Sequence, residues 1–159
     1  MSQRLDYTNA APTPARAYFA FSQSLDGNRL DPILRELVNL RASQMNGCAF
    51  CTDMHVKSAR IHGERELRLH HVAVWRESPL FDERERAALE WTEALTQMTP
   101  AGISDELYNR VKFELGEDLL AELTFAVVAI NGWNRVAVAF TPVPGSSDRM
   151  LGLDKAVLA

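Results

Sequence analysis

Apolar positions recur along this chain at intervals of three and four, and they never alternate with polar ones at a period of two. The pattern predicts an all-α protein of about six to eight helices. Residues 1–12 carry no such pattern and read as an extended arm. Thr13 followed by Pro14 has the form of a helix start. Ala17, Tyr18, Phe21 and Leu25 then share a face before a turn at Asp26, Gly27 and Asn28. Asp31 with Pro32 opens a second helix whose stripe is Leu34, Leu37, Val38, Arg41 and Met45, with Glu36 on its shoulder in a half-buried place.

Asn46 and Gly47 break that helix, and a third runs from about residue 48 to 62, stopped by Gly63. A helix over residues 64–74 is expected to present Leu67, His70, His71 and Val74. Asp82-x-x-Glu85 has the form of a capping box ahead of Ala88, Trp91, Leu95 and Met98. Ser104 caps a short helix with Leu107, Val111 and Leu115, ended by Gly116. Residues 117–140 are apolar nearly all round, as in a helix buried in a core or at a subunit interface, with Gly132 a candidate kink. Residues 142–159 read as a breaker run and a tail.

A length of 159 residues is that of one domain, so residues 1–159 are read as a single unit. The net charge of −4 argues against nucleic acid and anionic membranes as partners. The N-terminus lacks the apolar segment of a signal peptide. The longest apolar run, residues 119–130, is broken by Glu122 and Thr124 and is too short to span a bilayer. These features lead us to expect a cytoplasmic protein without a membrane partner. In that compartment a thiol pair is more often catalytic or metal-binding than a structural staple.

Both cysteines, Cys48 and Cys51, fall in one C-x-x-C at the start of the third helix. At 100° per residue, Cys48, Cys51, His55, Ala59 and His62 form one stripe. Asp53, Lys57 and Arg60 point elsewhere, towards water. Helix N-termini favour thiolate, and Cys51 and His55 are neighbours at i, i+4. Gly47 lets the chain reverse, so that Glu36 can approach His55 from the preceding helix. This is the pattern of a nucleophile, a base and an orienting carboxylate. Lowering a thiol pKa raises thiolate content, but nucleophilicity falls with a slope of about 0.4–0.5, so the net gain is a few-fold. A positioned proton donor or acceptor contributes about 10²–10⁴. The Glu36–His55 pair is therefore expected to matter chiefly as a proton relay.

The motif E-x11-C-x2-C-x3-H over two consecutive helices resembles the AhpD alkylhydroperoxidase and carboxymuconolactone decarboxylase superfamily. FDERERAALEWTEALT and INGWNRVAVAF look like its small single-domain members, and the similarity covers roughly residues 30–140. The resemblance implies a helical protomer assembled into trimers or hexamers, reducing hydroperoxides through the cysteine pair without a cofactor. It implies Cys51 as the peroxidatic cysteine, Cys48 as the resolving one and His55 with Glu36 as the relay. It implies a Cys48–Cys51 disulfide in the oxidised form, recycled by a lipoyl or thioredoxin-like dithiol. Phe50 stands where well-studied AhpD proteins carry a histidine, a departure that bears on the accessory proton path the resemblance implies.

Other readings share the residues. The pair could exchange disulfides with proteins, or act as a redox-sensing switch in an oligomer. Lactone decarboxylation gives the C-x-x-C no role. A closed zinc site needs four ligands, so His55 and a second histidine would have to join the two cysteines. Asn131, Asn134 and Arg135 are polar groups in an apolar helix, either a hydrogen-bonding cluster near the site or caps around a break at Gly132.

Overall fold

A computed structural model describes residues 2–27 and 29–156, so Asn28 of the expected turn and residues 157–159 of the expected tail lie outside the described residues. The described chain is helical, with no strand among those residues. In order it forms α1 (Tyr7–Ala10), α2 (Pro12–Gln23), α3 (Pro32–Met45), α4 (Ala49–Ile61) and α5 (Glu66–His71). These are followed by α6 (Glu83–Thr96), α7 (Asp105–Leu115), α8 (Glu117–Phe140) and α9 (Asp148–Leu151), with 3-10 turns at Val72–Val74 and Leu153–Lys155.

The start signals hold where a side chain can cap. The Asp31 carboxylate accepts from the N–H groups of Ile33 and Leu34, and Pro32 fills the first position of α3. Asp82 and Glu85 form a reciprocal capping box at α6. The Ser104 hydroxyl accepts from Leu107 at α7. Satisfying these free donors contributes roughly 1 kcal/mol at each helix start.

α3 is the central element. Its Leu34 and Val38 pack with Ala88 and Trp91 of α6, Val111 of α7 and Leu120, Leu123 and Val127 of α8. Its Leu37 and Leu40 join Ala59 of α4, Leu69, Val72, Trp75, Phe81 and Leu89 in a second cluster. A third, smaller cluster holds Ala42, Cys48, Cys51, Ile130 and Ala137 where α3, α4 and α8 meet. Fully burying each such Leu or Val contributes about 1.5–3 kcal/mol. Arg41 keeps its stem against the core and its head on Glu93, 2.6 Å away.

Several expectations need correction. The arm is not wholly extended: the Asp6 carboxylate accepts from Thr8 and Asn9 N–H and winds one turn, α1. α2 starts at Pro12, ahead of Thr13. The helix expected over residues 64–74 is shorter and ends as a 3-10 turn, so Leu69 and Val72 face inward while Leu67 and Val74 are exposed. Met98 lies beyond the end of α6 and is exposed too. The segment after residue 142 is no free tail: the Lys57 ammonium bridges Asp53 and Asp148, each at 2.7 Å, and Leu153 is buried. Lys57 is thereby drawn out of water, where the helical pattern alone had placed it.

α8 runs unbroken through Gly132. A Cβ at Gly132 would lie 1.9 Å from the Tyr18 hydroxyl, which donates to the carbonyls of Val128 and Ala129. The glycine is a close-approach site for α2. By length and composition alone α8 is apolar enough to cross a bilayer, with a mean hydropathy of 1.4, so the run at residues 119–130 understated it. One face of α8 closes the core, and the other exposes Phe125, Val128 and Val138.

Candidate active site

Gly47 sits at φ +65°, a conformation that favours glycine, and turns the chain out of α3 straight into α4. Cys48 then occupies the cap of α4, where its sulfur accepts the N–H of Cys51 at 3.2 Å. A sulfur in the place usually held by an Asp or Ser oxygen takes up a free helix donor, and it does so better as thiolate. One turn on, the Cys51 sulfur lies 2.6 Å from that of Cys48. Both cysteines are free and buried, at 2% and 4% exposure.

The two thiols titrate as a pair. The hydrogen bond from the Cys51 thiol lowers the pKa of Cys48, burial opposes it, and the Cys51 N–H, Asn134 and His55 add to the lowering, bringing Cys48 to about 7. The same hydrogen bond, reinforced by burial and by the charge on Cys48, pushes the Cys51 thiol far above the ordinary cysteine value. The first proton of the pair is therefore half lost at about pH 7, with the anion resting on Cys48 and the remaining proton on Cys51.

Glu36 and His55 meet as the spacing predicts. The imidazole Nδ1 lies 2.7 Å from Glu36 Oε2. Glu36 is not half-buried but 5% exposed, because α4 lies along α3 and covers it. Burial pushes its carboxyl up, but the His55 imidazole, the Ser58 hydroxyl and the Arg35 charge outweigh burial and hold it below the ordinary glutamate value. An ionised Glu36 accepts the Nδ1 proton, which leaves His55 Nε2 to exchange protons elsewhere. No hydrogen bond joins His55 to either sulfur among the described residues, although its charge reaches Cys48.

Three further residues belong here. Ser58 donates to Glu36 Oε1 at 2.9 Å and completes the carboxylate's partners. Its place three residues after His55, on the same face, was a usable signal. Asn134, fully buried, donates to Ser43 Oγ at 3.1 Å and accepts from Asn46 Nδ2 at 2.9 Å, and its amide favours the thiolate form of both cysteines. Asn131 accepts from Asn46 and Arg135 and donates to Thr96. The polar groups of α8 are thus a hydrogen-bonding cluster against the site, not caps. Tyr7, on the arm, is an electrostatic neighbour of Cys51, and nothing in the sequence pattern marked it. His62 is exposed on its own Ser58 carbonyl, and His71 bonds Ser78, so neither joins the site. Among the described residues no three His, Cys, Asp or Glu side chains gather as a metal site.

An all-helical fold with a thiol pair opening one helix and a buried carboxylate on the helix before it is the AhpD-like architecture. The chain belongs to the carboxymuconolactone decarboxylase family, which it matches over residues 12–94. It is 37% identical to the uncharacterized protein YdfG of Bacillus subtilis over 139 residues, 87% of this chain and 95% of YdfG. It is also 37% identical to ATU0492 of Agrobacterium tumefaciens, a protein of unknown function placed provisionally with the antioxidant defence protein AhpD. That crystal structure superposes with a TM-score of 0.86, covering 90% of this chain and 98% of the other. A peroxidase-related protein with an AhpD core from Ralstonia eutropha shares the fold at a TM-score of 0.77 and 21% identity, covering 88% and 75%.

Proposed function

We propose that this protein reduces organic hydroperoxides through Cys48 and Cys51, with Glu36 and His55 as the proton relay. The observation that carries this reading is the convergence of the thiol pair, whose anion rests on Cys48, with a buried carboxylate–imidazole pair at the junction of α3 and α4. Family membership and the likeness to ATU0492 support a peroxidase-related role.

Cys51 attacks and Cys48 resolves. The resting anion sits on Cys48, and moving the shared proton from Cys51 to Cys48 along their hydrogen bond transfers it to Cys51. The Cys51 thiolate then attacks the terminal peroxide oxygen. The S–O bond forms, the O–O bond breaks, and its electron pair leaves on the alkoxide. His55, held by Glu36, delivers the proton that makes the alcohol. The Cys48 thiol condenses with the Cys51 sulfenic acid to give the disulfide and water. A dithiol of lipoyl or thioredoxin type returns the pair to thiols, in the cytoplasm and in a homo-oligomer.

The buried sulfurs require a neighbour to move before a peroxide enters. The test is consumption of cumene hydroperoxide with dihydrolipoamide as donor. The reading expects turnover in the wild type and its loss in both Cys51→Ser and Cys48→Ser. Full activity in both variants overturns it.

A further inference from the structure

A serine or threonine hydroxyl inside a helix commonly bonds back to the carbonyl four residues earlier. Ser22, Ser43, Thr92 and Thr124 all do so, at 2.7–3.1 Å. Ser58 of α4 does not. Among the described residues its hydroxyl bonds across to α3, donating to Glu36 Oε1 at 2.9 Å. His55, one turn earlier on the same face of α4, holds Glu36 Oε2 at 2.7 Å. Both oxygens of one carboxylate are thus docked on one helix, three residues apart.

The direction of the Ser58 bond follows from charge, because an ionised carboxylate only accepts. Burial raises the Glu36 carboxyl, but the charge and hydrogen bond of His55, the hydrogen bond of Ser58 and the charge of Arg35 outweigh it, so the group is ionised. Glu36 is 5% exposed, so bulk water is a poor substitute for a lost donor. The last torsion of a glutamate is broad, and a single hydrogen bond to one oxygen leaves the carboxylate plane free to turn. The second bond, from Ser58, fixes that plane and with it the place of Oε2 on the imidazole.

We propose that Ser58 is a positioning residue for the relay: it pins Glu36 so that the His55 imidazole keeps its proton on Nδ1 and presents Nε2 to the reaction. Its place in catalysis rests on the hydroperoxide reading above. Ser58 exchanges no proton and meets no substrate; it acts through Glu36. Which imidazole nitrogen is protonated is set by the hydrogen bond that the other makes, so a carboxylate held in one orientation selects one tautomer. A carboxylate free to turn selects it less strongly.

The experiment compares the reduced full chain as wild type, Ser58→Ala and Ser58→Thr. The first arm is nitrogen-15 NMR of the His55 ring at about pH 8, where an ordinary histidine is neutral. The wild type and Ser58→Thr are expected to show one tautomer, with Nδ1 protonated, and Ser58→Ala a mixture of two. The second arm sets the rate of thiol loss with cumene hydroperoxide against alkylation by iodoacetamide, which needs a thiolate but no proton delivery. Ser58→Ala is expected to slow the hydroperoxide reaction about tenfold, less than the roughly 10²–10⁴ of a whole relay, and to leave alkylation within about twofold. Ser58→Thr, which keeps the hydroxyl, should return the rate to within about threefold of the wild type. A wild-type tautomer or a wild-type hydroperoxide rate in Ser58→Ala overturns the proposal. An equal fall in both reactions overturns it too, because the serine would then act on the thiols or on the fold. Ser58→Thr reacting no faster than Ser58→Ala also overturns it. A wild type that alkylates normally and leaves hydroperoxide unconsumed removes the peroxidase reading instead, and the NMR arm, which needs no peroxide, still decides whether Ser58 positions His55.

Discussion

Glu36 and His55 join α3 to α4 through a 2.7 Å hydrogen bond, with the carboxylate buried and its second oxygen held by Ser58. Glu36→Gln keeps the shape and removes the charge. It is expected to cut hydroperoxide turnover by about 10²-fold, the scale of a lost proton relay. Iodoacetamide alkylation of the cysteines should change far less. Steady-state assays beside alkylation rates check the split.

The same carboxylate ties stability to acid. Its folded pKa lies below the ordinary value of 4.5, so the stability it contributes is fully present above that value. It is lost as pH falls from there through the folded pKa. Denaturant midpoints measured from neutrality downward should therefore decline for the wild type in that window. The decline should be shallower in Glu36→Gln.

The thiol pair should titrate in two well-separated steps. Thiolate absorbance in the ultraviolet is expected to rise with a midpoint at about pH 7, from Cys48. The second step should lie far above an ordinary cysteine. Cys51→Ala removes the leading cause of the lowering, so the midpoint of Cys48 should move up. A single step near an ordinary thiol value in the wild type contradicts the pairing.

Asn134 is buried between Asn46 and Ser43, and its amide favours the thiolate form of both cysteines. Asn134→Ala leaves their donors and acceptors unmatched, at about 1–3 kcal/mol. For a chain of this length that lowers Tm by roughly 2–4 °C per kcal/mol. The Cys48 midpoint should rise as well, which a purely structural asparagine would not cause.

Much of the fold was legible because it rests on local signals. Asp31, Asp82 and Ser104 mark helix starts by capping, and the bounds of α8 follow from an apolar run between Gly116 and a breaker segment. The meeting of Glu36 and His55 was legible because one glycine turn forces adjacent helices to lie antiparallel. What stayed hidden depends on partners distant in sequence. Lys57 looked solvated because Asp148 lies ninety-one positions away. Tyr7 belongs to a segment without periodicity, so only its contact with α8 gives it a place. The burial of Glu36 follows from how closely α4 covers it, a packing detail that helical spacing does not encode.

The most direct measurement is a stoichiometric one. Fully reduced protein is treated with one equivalent of cumene hydroperoxide, and free thiols, intact mass and cumyl alcohol are determined. The account predicts one alcohol per chain, loss of both thiols and a Cys48–Cys51 disulfide, with Cys48→Ser trapped as the Cys51 sulfenic acid. Two thiols retained, with the hydroperoxide unconsumed, would contradict it.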